Sequence, residues 1–159
     1  MSIPTSPSEQ WTEQTKQGTK FLYDWLSRRE HSCLELQKKL AEKGIDKAIH
    51  KTLIEHFIAQ GYQSDRRYME MIIRAKANKG YGPNHIKQLL KQQQVDISDF
   101  NALVLENEIN WFDIGYRTFC KKFGEQVSND FKTKQKQQAY MIKKGFSFDC
   151  IKSIWSELS

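Results

Sequence analysis

SCLELQKKLAEKGID, residues 32–46, decides the fold of this chain because a similar pattern follows it twice. The second copy is GPNHIKQLLKQQQVD, residues 82–96, and the third is QQAYMIKKGFSFDCI, residues 137–151. The copies align at offsets of 50 and 51 residues, and three apolar columns result: Leu40, Leu90 and Met141; Ile45, Val95 and Phe146; Leu53, Leu103 and Ile154. A period of about fifty residues is typical of repeat proteins, whose units bury their apolar faces against one another. Such proteins bind extended partners far more often than they catalyse reactions.

Two different signals predict a helix start at the same place in the first two copies. Ser32 and Glu35 form an S-x-x-E capping box, which predicts that a helix begins at Cys33. In the second copy Pro83 follows Gly82 at the equivalent position. Proline is favoured as the first helical residue because its missing N–H would have no helical partner there.

Glycines and caps predict where these helices end and where the next ones begin. Gly44 and Gly145 follow the helices of the first and third copies, as C-terminal glycines do. The second copy instead has the glutamine-rich KQQQ, residues 91–94, and we expect its helix end to be less sharply defined. Asp46 is suited to cap the helix that follows Gly44.

We predict an all-α protein of three tandem three-helix repeats, about nine helices, in an elongated, curved array. The repeats are expected at residues 19–62, 63–108 and 109–159, the last one basic. The first helix is expected to begin near Thr19 and the sixth near Ser98. Residues 1–18, which hold two of the three prolines, are expected to form a disordered leader. Only eight glycines argue against an all-β fold.

The bulk composition excludes several classes of protein. No apolar run approaches the length of a transmembrane helix, and the N-terminus lacks the charged and apolar regions of a secretory signal. The three cysteines, Cys33, Cys120 and Cys150, are odd in number and show no CxxC spacing. This usage argues against a disulfide framework or a zinc site and predicts a cytoplasmic protein.

The positive charge is concentrated near the end of the chain. The formal net charge is +6, and residues 109–159 carry nine Lys or Arg against five Asp or Glu. Residues 1–60 carry nine against eight, and residues 61–108 carry seven against six. The excess indicates contact with a polyanion or an acidic protein surface, or else a solvated basic face that maintains solubility.

No set of residues qualifies as a catalytic or metal site. The histidines, His31, His50, His56 and His85, show no HExxH spacing and no neighbouring Cys or Asp cluster. The GYG at residues 80–82 is too short for a phosphate loop and is better explained as a turn between helices. We therefore predict no enzyme activity, no metal and no cofactor.

Cationic side chains are the candidates for a binding surface. Residues 121–144 hold seven lysines against two acids, as expected of a surface that follows phosphates. Salt bridges to Asp24, Glu30 or Asp65 are the alternative explanation for the arginine pairs, and generic solvation is the alternative for the lysines. The candidates are Arg28, Arg29, Arg66, Arg67, Arg74, Lys79, Lys87, Lys91, Lys132, Lys134, Lys136, Lys143 and Lys144.

Three blocks resemble the RecX family of regulators of the bacterial recombinase RecA. They are LSRREHSCLELQKKLAEKG at residues 26–44, GYQSDRRYMEMIIRAKANKGYGPNHIKQLL at residues 61–90 and YMIKKGFSFDCI at residues 140–151. The resemblance covers residues 20–158, with the blocks in the family's order and spacing. Small departures occur at His31, where tyrosine is common, at Gln63 and Ser64, and at Lys144, which stands at an arginine position.

The resemblance implies a function that the motifs do not supply. RecX proteins bind in the groove of the RecA–DNA filament and limit its ATPase, strand-exchange and coprotease activities in DNA repair, recombination and the SOS response. They have no catalytic residues of their own. The resemblance therefore implies a non-enzymatic regulator, expected as a monomer, with the RecA filament as partner and weak, non-specific binding to DNA. The alternative function is that of a generic basic, helical nucleic-acid-binding protein.

Overall fold

The computed structural model describes the backbone of residues 7–159 and the side chains from residue 12 onward. Within those residues the chain forms helices joined by short turns and contains no strand. They are α1 (Pro7–Arg28), α2 (Cys33–Glu42), α3 (Lys47–Ala59), α4 (Asp65–Asn78), α5 (Pro83–Gln92), α6 (Phe100–Glu106), α7 (Trp111–Phe123), α8 (Phe131–Lys144) and α9 (Phe148–Leu158). No helix of this described part is long and apolar enough to cross a bilayer. The all-α class predicted from the sequence is confirmed.

Helix α1 begins well before the predicted position. The structure has helix over residues 7–18, where we expected a disordered leader, and residues 1–6 lie outside the described residues. Packing explains the difference, because Gly18 is buried and a Cβ there would lie 2.6 Å from Leu53 Cδ1 of α3. The Asp46 N–H also donates to Gln14 Oε1 at 2.7 Å. Close approach to α3 thus stabilises additional helical turns before Thr19.

The chain divides into two compact units, Met1–Tyr68 and Met69–Ser159. Unit 1 has a core formed by Leu22, Trp25, Leu36, Leu40, Ile45, Ile49, Leu53, Ile54 and Phe57. In unit 2, α7, α8 and α9 pack together. They form a core cluster together with Ala77 of α4, and its members are Ala77, Ile114, Phe119, Met141, Phe146, Ile151 and Ile154. The predicted boundaries of three separate repeats stay a prediction.

The sequence repeat corresponds to one structural motif at the ends of three helices. In each copy the residue of the second apolar column donates its backbone N–H to the carbonyl of the residue of the first column. These bonds join Ile45 to Leu40 and Val95 to Leu90 at 3.0 Å, and Phe146 to Met141 at 3.1 Å. The residue directly before that of the second column has a positive φ, which is +78° at Gly44, +56° at Gln94 and +104° at Gly145. This left-handed ending gives freed helix carbonyls a hydrogen-bond partner. The end of α5 is therefore as sharp as the others, and our expectation of a looser end is wrong.

The predicted helix starts are confirmed where a local cap specifies them. The Glu35 N–H donates to Ser32 Oγ at 3.1 Å, and α2 begins at Cys33. The Ala48 N–H donates to Asp46 Oδ1 at 2.9 Å at the start of α3. Helix α5 begins at Pro83, as the Gly-Pro pair predicts.

Helix α6 begins two residues later than expected. The sequence predicts a start near Ser98, whereas the helix spans Phe100–Glu106. The Ser98 N–H and hydroxyl both donate to Asp96 Oδ1, at 2.9 and 2.6 Å. Asp96 and Ser98 thus form an aspartate turn, and the first turn of the helix begins after it.

Candidate polyanion-binding groove

Unit 2 contains a groove of about 360 Å³ at which α4, α7 and α8 end. The end of α4 and the turn after it form one wall, and α7 and α8 form the others. The lining residues are Ala77, Asn78, Lys79, Gly80, Ile114, Arg117, Thr118, Lys121, Lys122, Tyr140 and Lys144. Five of the residues in this lining are cationic and none is acidic. We call this surface the basic groove.

A glycine turn holds Lys79 beside α7. Gly80 has a φ of +88°, a conformation that favours glycine. The Thr118 hydroxyl of α7 donates to the Gly80 carbonyl at 2.8 Å, and a Cβ on residue 80 would lie 2.7 Å from Thr118 Oγ1. The turn therefore requires a residue without a side chain, and the hydrogen bond ties it to α7.

Lys144 is positioned by backbone bonds and by two aromatic rings. The Gly82 N–H donates to the Lys144 carbonyl at 2.7 Å. The Lys144 ammonium lies 4.4 Å from the ring centroid of Tyr81 and 5.6 Å from that of Tyr140. Cation–π attraction holds a cation at the ring face without neutralising its charge. Lys144 therefore presents a localised positive charge to the groove.

Helix α7 supplies the other three cations. Arg117 and Lys121 lie at i and i+4 and so share one side of the helix. Lys122 follows directly, and its ammonium lies 5.4 Å from the ring centroid of Tyr140. Lys121 and Lys122 occupy the last turn of α7, where cations interact favourably with the helix dipole.

The groove keeps a positive charge after the helix dipoles are considered. Three helix C-termini contribute roughly −0.5 charge each, which leaves about +3.5 from the five cations. None of the five forms an ion pair with a carboxylate in the described part of the chain. The pKa of nearby His85 is lowered, first by burial and then by Lys76 and Lys144. The absence of a carboxylate partner and the charge count together indicate a positive potential in the groove.

A second groove, of about 350 Å³, adjoins the basic groove and shares Arg117 with it. Predicted candidate Arg74 lies in this second groove. Glu108 and Asp113 also line it, so its charge is mixed. Of these two adjoining grooves, only the basic groove on the Lys79 side of Arg117 has a cationic lining without acids.

Arg28, Arg29 and Arg67 of unit 1 form ion pairs with carboxylates. Arg28 lies 3.2 Å from Asp24, Arg67 lies 2.9 Å from Glu30, and Arg29 pairs with Glu35. The hydrogen bond to Glu35 raises the pKa of Arg29. The alternative explanation by salt bridges applies to these three arginines, and the partner of Arg29 is one that the sequence did not suggest. Arg66 is exposed.

The remaining predicted cations are distributed over several surfaces of unit 2. Lys79 and Lys144 line the basic groove. Lys87 and Lys134 lie over the rings of Phe100 and Trp155, at 5.0 and 5.1 Å from the centroids. Exposed lysines outside the groove are Lys91, Lys132, Lys136 and Lys143. The predicted lysine stripe of α8 thus contributes only Lys144 to the groove.

Three groove cations, Arg117, Lys121 and Lys122, were not among the predicted candidates. Lys121 and Lys122 belong to the lysine-rich stretch seen in the sequence, and Arg117 has the i, i+4 spacing to Lys121. Their proximity to Lys79, about forty residues earlier, is a tertiary relation. No local spacing in the sequence encodes it.

The described residues contain no cluster of His, Cys, Asp and Glu suited to hold a metal ion. His31 and His50 are buried, with Nδ1 of His31 3.0 Å from the Arg29 carbonyl and Nε2 of His50 2.7 Å from that of Ile45. Burial raises the pKa of the Cys33 thiol to about 11, with nearby Asp65 adding to the rise. A thiol of this kind is protonated at neutral pH and is a poor nucleophile.

The fold and the groove place this chain in a class of proteins that are all-α, are built of helical domains and carry a cationic surface. Family models of two such domains match the chain, "RecX, second three-helix domain" at residues 64–99 and "RecX, third three-helix domain" at residues 112–155. The crystal structure of RecX from Lactobacillus salivarius has the same fold, with a TM-score of 0.72 and 20% identity, over 92% of this chain and 97% of that one.

Curated relatives narrow the class to a family. The regulatory protein RecX of Legionella pneumophila (strain Corby) is 34% identical over 84% of this chain and 89% of its own length. The regulatory protein RecX of Acinetobacter baylyi is 36% identical over 79% of this chain and 78% of its own. This chain belongs to the RecX family of regulatory proteins, as its resemblance to that family predicts.

Proposed function

We propose that this protein is a non-enzymatic regulator that binds the filament of the recombinase RecA. In this role it inhibits the ATPase, strand-exchange and coprotease activities of the filament during DNA repair, recombination and the SOS response. The observation that carries the proposal is the relation to RecX regulatory proteins over most of the chain, 34% identity across 133 residues in one case. We further propose a cytoplasmic monomer that needs no cofactor.

The repeated helices suit a partner that is itself repetitive. A recombinase filament presents the same protein surface and the same length of DNA at each protomer. Several weak contacts along such a partner combine through effective concentration, so none of them has to be strong. The cations named above are the proposed contacts to acidic protein surface or to DNA, with Lys79 and Lys144 supported by their place in the basic groove.

The test is the rate of ATP hydrolysis by RecA on single-stranded DNA. Inhibition is expected at or below one molecule of this protein per recombinase protomer. Raising the DNA concentration at a fixed amount of filament tests whether this protein inhibits simply by sequestering the DNA strand. A regulator that acts on the filament still inhibits ATP hydrolysis when DNA is added. No inhibition at large excess over RecA would contradict the proposal.

A second candidate function, that of a generic nucleic-acid-binding protein, is supported by the acid-free lining of the basic groove. Its expected signature is salt-sensitive binding to bare DNA, together with inhibition that disappears as DNA is added. The two candidates therefore predict opposite results in the control described above.

A further inference from the structure

Another side of α7 carries a groove whose chemistry is opposite to that of the basic groove. This groove of about 450 Å³ is lined by Phe112, Asp113, Tyr116, Arg117 and Glu157, which come from α7 and α9. Two of its charged residues are acids and one is a base, so its lining carries one net negative charge. Residues 109–159 as a whole carry an excess of four positive charges. We call this surface the acidic groove.

The two carboxylates of the acidic groove have no cationic partner. Asp113 and Glu157 are exposed, and neither forms an ion pair in the described part of the chain. The Arg117 Nε of the same groove donates to the backbone carbonyl of Asp113 at 3.4 Å and to neither carboxylate. Both negative charges are therefore available to a cationic ligand.

Two aromatic rings form the apolar part of the acidic groove. The rings of Phe112 and Tyr116 lie one helical turn apart, with centroids separated by 6.0 Å. Within the described residues no lysine or arginine lies over either ring, whereas lysines lie over several other rings of unit 2. The pKa of Tyr116 is raised, first by burial and then by Cys120. The charges of Glu125 and Glu157 raise it further, so both acids act on this ring.

A guanidinium group matches this combination of rings and carboxylates. It stacks on aromatic faces, and its planar fork donates paired N–H groups to a carboxylate. An ammonium group is a more strongly hydrated point charge without that fork. Phosphates, in contrast, would meet two carboxylates here and would be repelled. The lining therefore favours a basic side chain, and arginine above lysine.

We propose that the acidic groove binds an arginine side chain presented by a protein partner. The groove shares Arg117 with the basic groove, so surfaces of opposite charge adjoin on α7. A protein that coats a nucleic acid presents its basic side chains beside phosphates, and such a partner is complementary to both surfaces. The contact can be weak by itself, because neighbouring contacts raise the effective concentration of the side chain. The choice of partner deepens the proposed function and rests on it, whereas the choice of side chain does not.

The experiment measures binding of a fluorescent peptide of alternating arginine and glycine by anisotropy. The site variant is Asp113→Asn with Glu157→Gln, and the control variant is Glu13→Gln with Glu42→Gln. All four side chains are exposed, so both variants are expected to fold, and thermal unfolding checks this. Because the protein has a net charge of +6, general electrostatics repels this peptide, and binding requires a local acidic site.

The site variant is expected to bind the peptide about tenfold more weakly or worse, since two charged hydrogen-bond acceptors are lost. The control variant is expected to lose less than about threefold, because distant charges act through a screened field. Tyr116→Leu keeps an apolar side chain but removes a ring face, and a loss of about two- to fivefold is expected. Asp113→Glu with Glu157→Asp keeps the charges and is expected to keep binding. A peptide of lysine and glycine is expected to bind more weakly than the arginine peptide.

Three results with the peptide would overturn the assignment. One is no detectable binding by the natural protein, and another is equal loss in the site and control variants. The third is competition by spermidine as effective as that by unlabelled arginine peptide at equal positive charge, which would assign the groove to small free cations.

The peptide measurements contain no recombinase, so they fail separately from the proposed function. A second assay then tests the partner by comparing binding to the recombinase filament with binding to bare single-stranded DNA. The site variant is expected to lose affinity for the filament and none for the bare strand, because only the filament presents basic side chains. Loss of affinity for both, or for neither, would show that the acidic groove does not contact the filament protein.

Discussion

Gln94 occupies a left-handed conformation, with φ of +56°, at the end of α5. Glycine adopts this conformation without strain, and the equivalent positions in the other two copies are Gly44 and Gly145. Gln94→Gly is therefore expected to raise the free energy of unfolding by about 0.5–1 kcal/mol. Urea denaturation measures the change.

The control for this prediction is Gln92→Gly, which places the same substitution in the last residue of α5. Gln92 is exposed and helical, so glycine there is expected to lower stability by up to about 1 kcal/mol. Destabilisation by both substitutions would contradict the strain argument for Gln94.

The buried ring of His31 is expected to make the stability of the protein depend on pH. Its ring is buried, with Nδ1 3.0 Å from the Arg29 carbonyl and Nε2 3.0 Å from the Lys39 ammonium. Burial first, and then the charges of Arg29 and Lys39, lower its pKa below the usual 6.5, and the hydrogen bond to the Arg29 carbonyl and the charge of Glu35 oppose them. The unfolded chain therefore binds this proton more readily. Stability is expected to be constant above about pH 6.5 and to decrease as the pH falls below it.

His31→Gln tests this pH dependence because an amide does not titrate. Thermal unfolding is measured from about pH 8 to about pH 5, a range that includes the usual pKa of histidine. The loss of stability over this range is expected to be smaller in the variant. Some dependence is expected to remain, since the pKa of His85 is lowered as well. An identical pH profile for the variant and the natural protein would show that His31 does not contribute.

Among the helices of unit 2, the end of α8 lies against the start of α5 with little free space. The Asn84 N–H donates to the Gly145 carbonyl at 3.0 Å, and a Cβ on residue 145 would lie 2.5 Å from the His85 nitrogen. Gly145→Ala is expected to lower the free energy of unfolding by more than about 2 kcal/mol, from backbone strain and from this clash.

Gly44→Ala is the matched control, since Gly44 has positive φ but a Cβ added to it would meet no other atom within 4 Å. It is expected to cost about 1 kcal/mol, from backbone strain alone. Chemical denaturation of the two variants separates the effects. Equal losses would show that the contact with α5 adds nothing to the cost of the left-handed conformation.

Local signals predicted the elements better than they predicted the site. Ser32, Asp46 and Pro83 specify helix starts through bonds or ring geometry within a few residues, and these starts are confirmed. The length of α1 depends on packing of Gly18 against α3, which local pattern does not reveal. The basic groove depends on the approach of α7 to the turn at Lys79, so only part of it was predicted.

At the scale of the whole molecule, the distribution of charge decides which unit should respond most to a polyanionic partner. Residues 109–159 carry an excess of four positive charges, nine against five, and the preceding thirds carry one each. Unit 1 also has a lysine-lined groove, formed by Lys38, Lys47 and Lys51. The Lys51 ammonium, however, lies 3.9 Å from the Glu55 carboxylate, which partly offsets its positive charge.

Removal of charge from unit 2 is therefore expected to impair regulation more than removal from unit 1. Lys79→Gln, Arg117→Gln and Lys121→Gln together are expected to raise the concentration needed to inhibit RecA ATP hydrolysis by about tenfold at low salt. Lys38→Gln, Lys47→Gln and Lys51→Gln together remove the same charge and are expected to have a smaller effect. The difference should shrink as salt is added, because screening weakens both surfaces. An equal or greater loss from the unit 1 variant would show that unit 2 is not the main electrostatic contact.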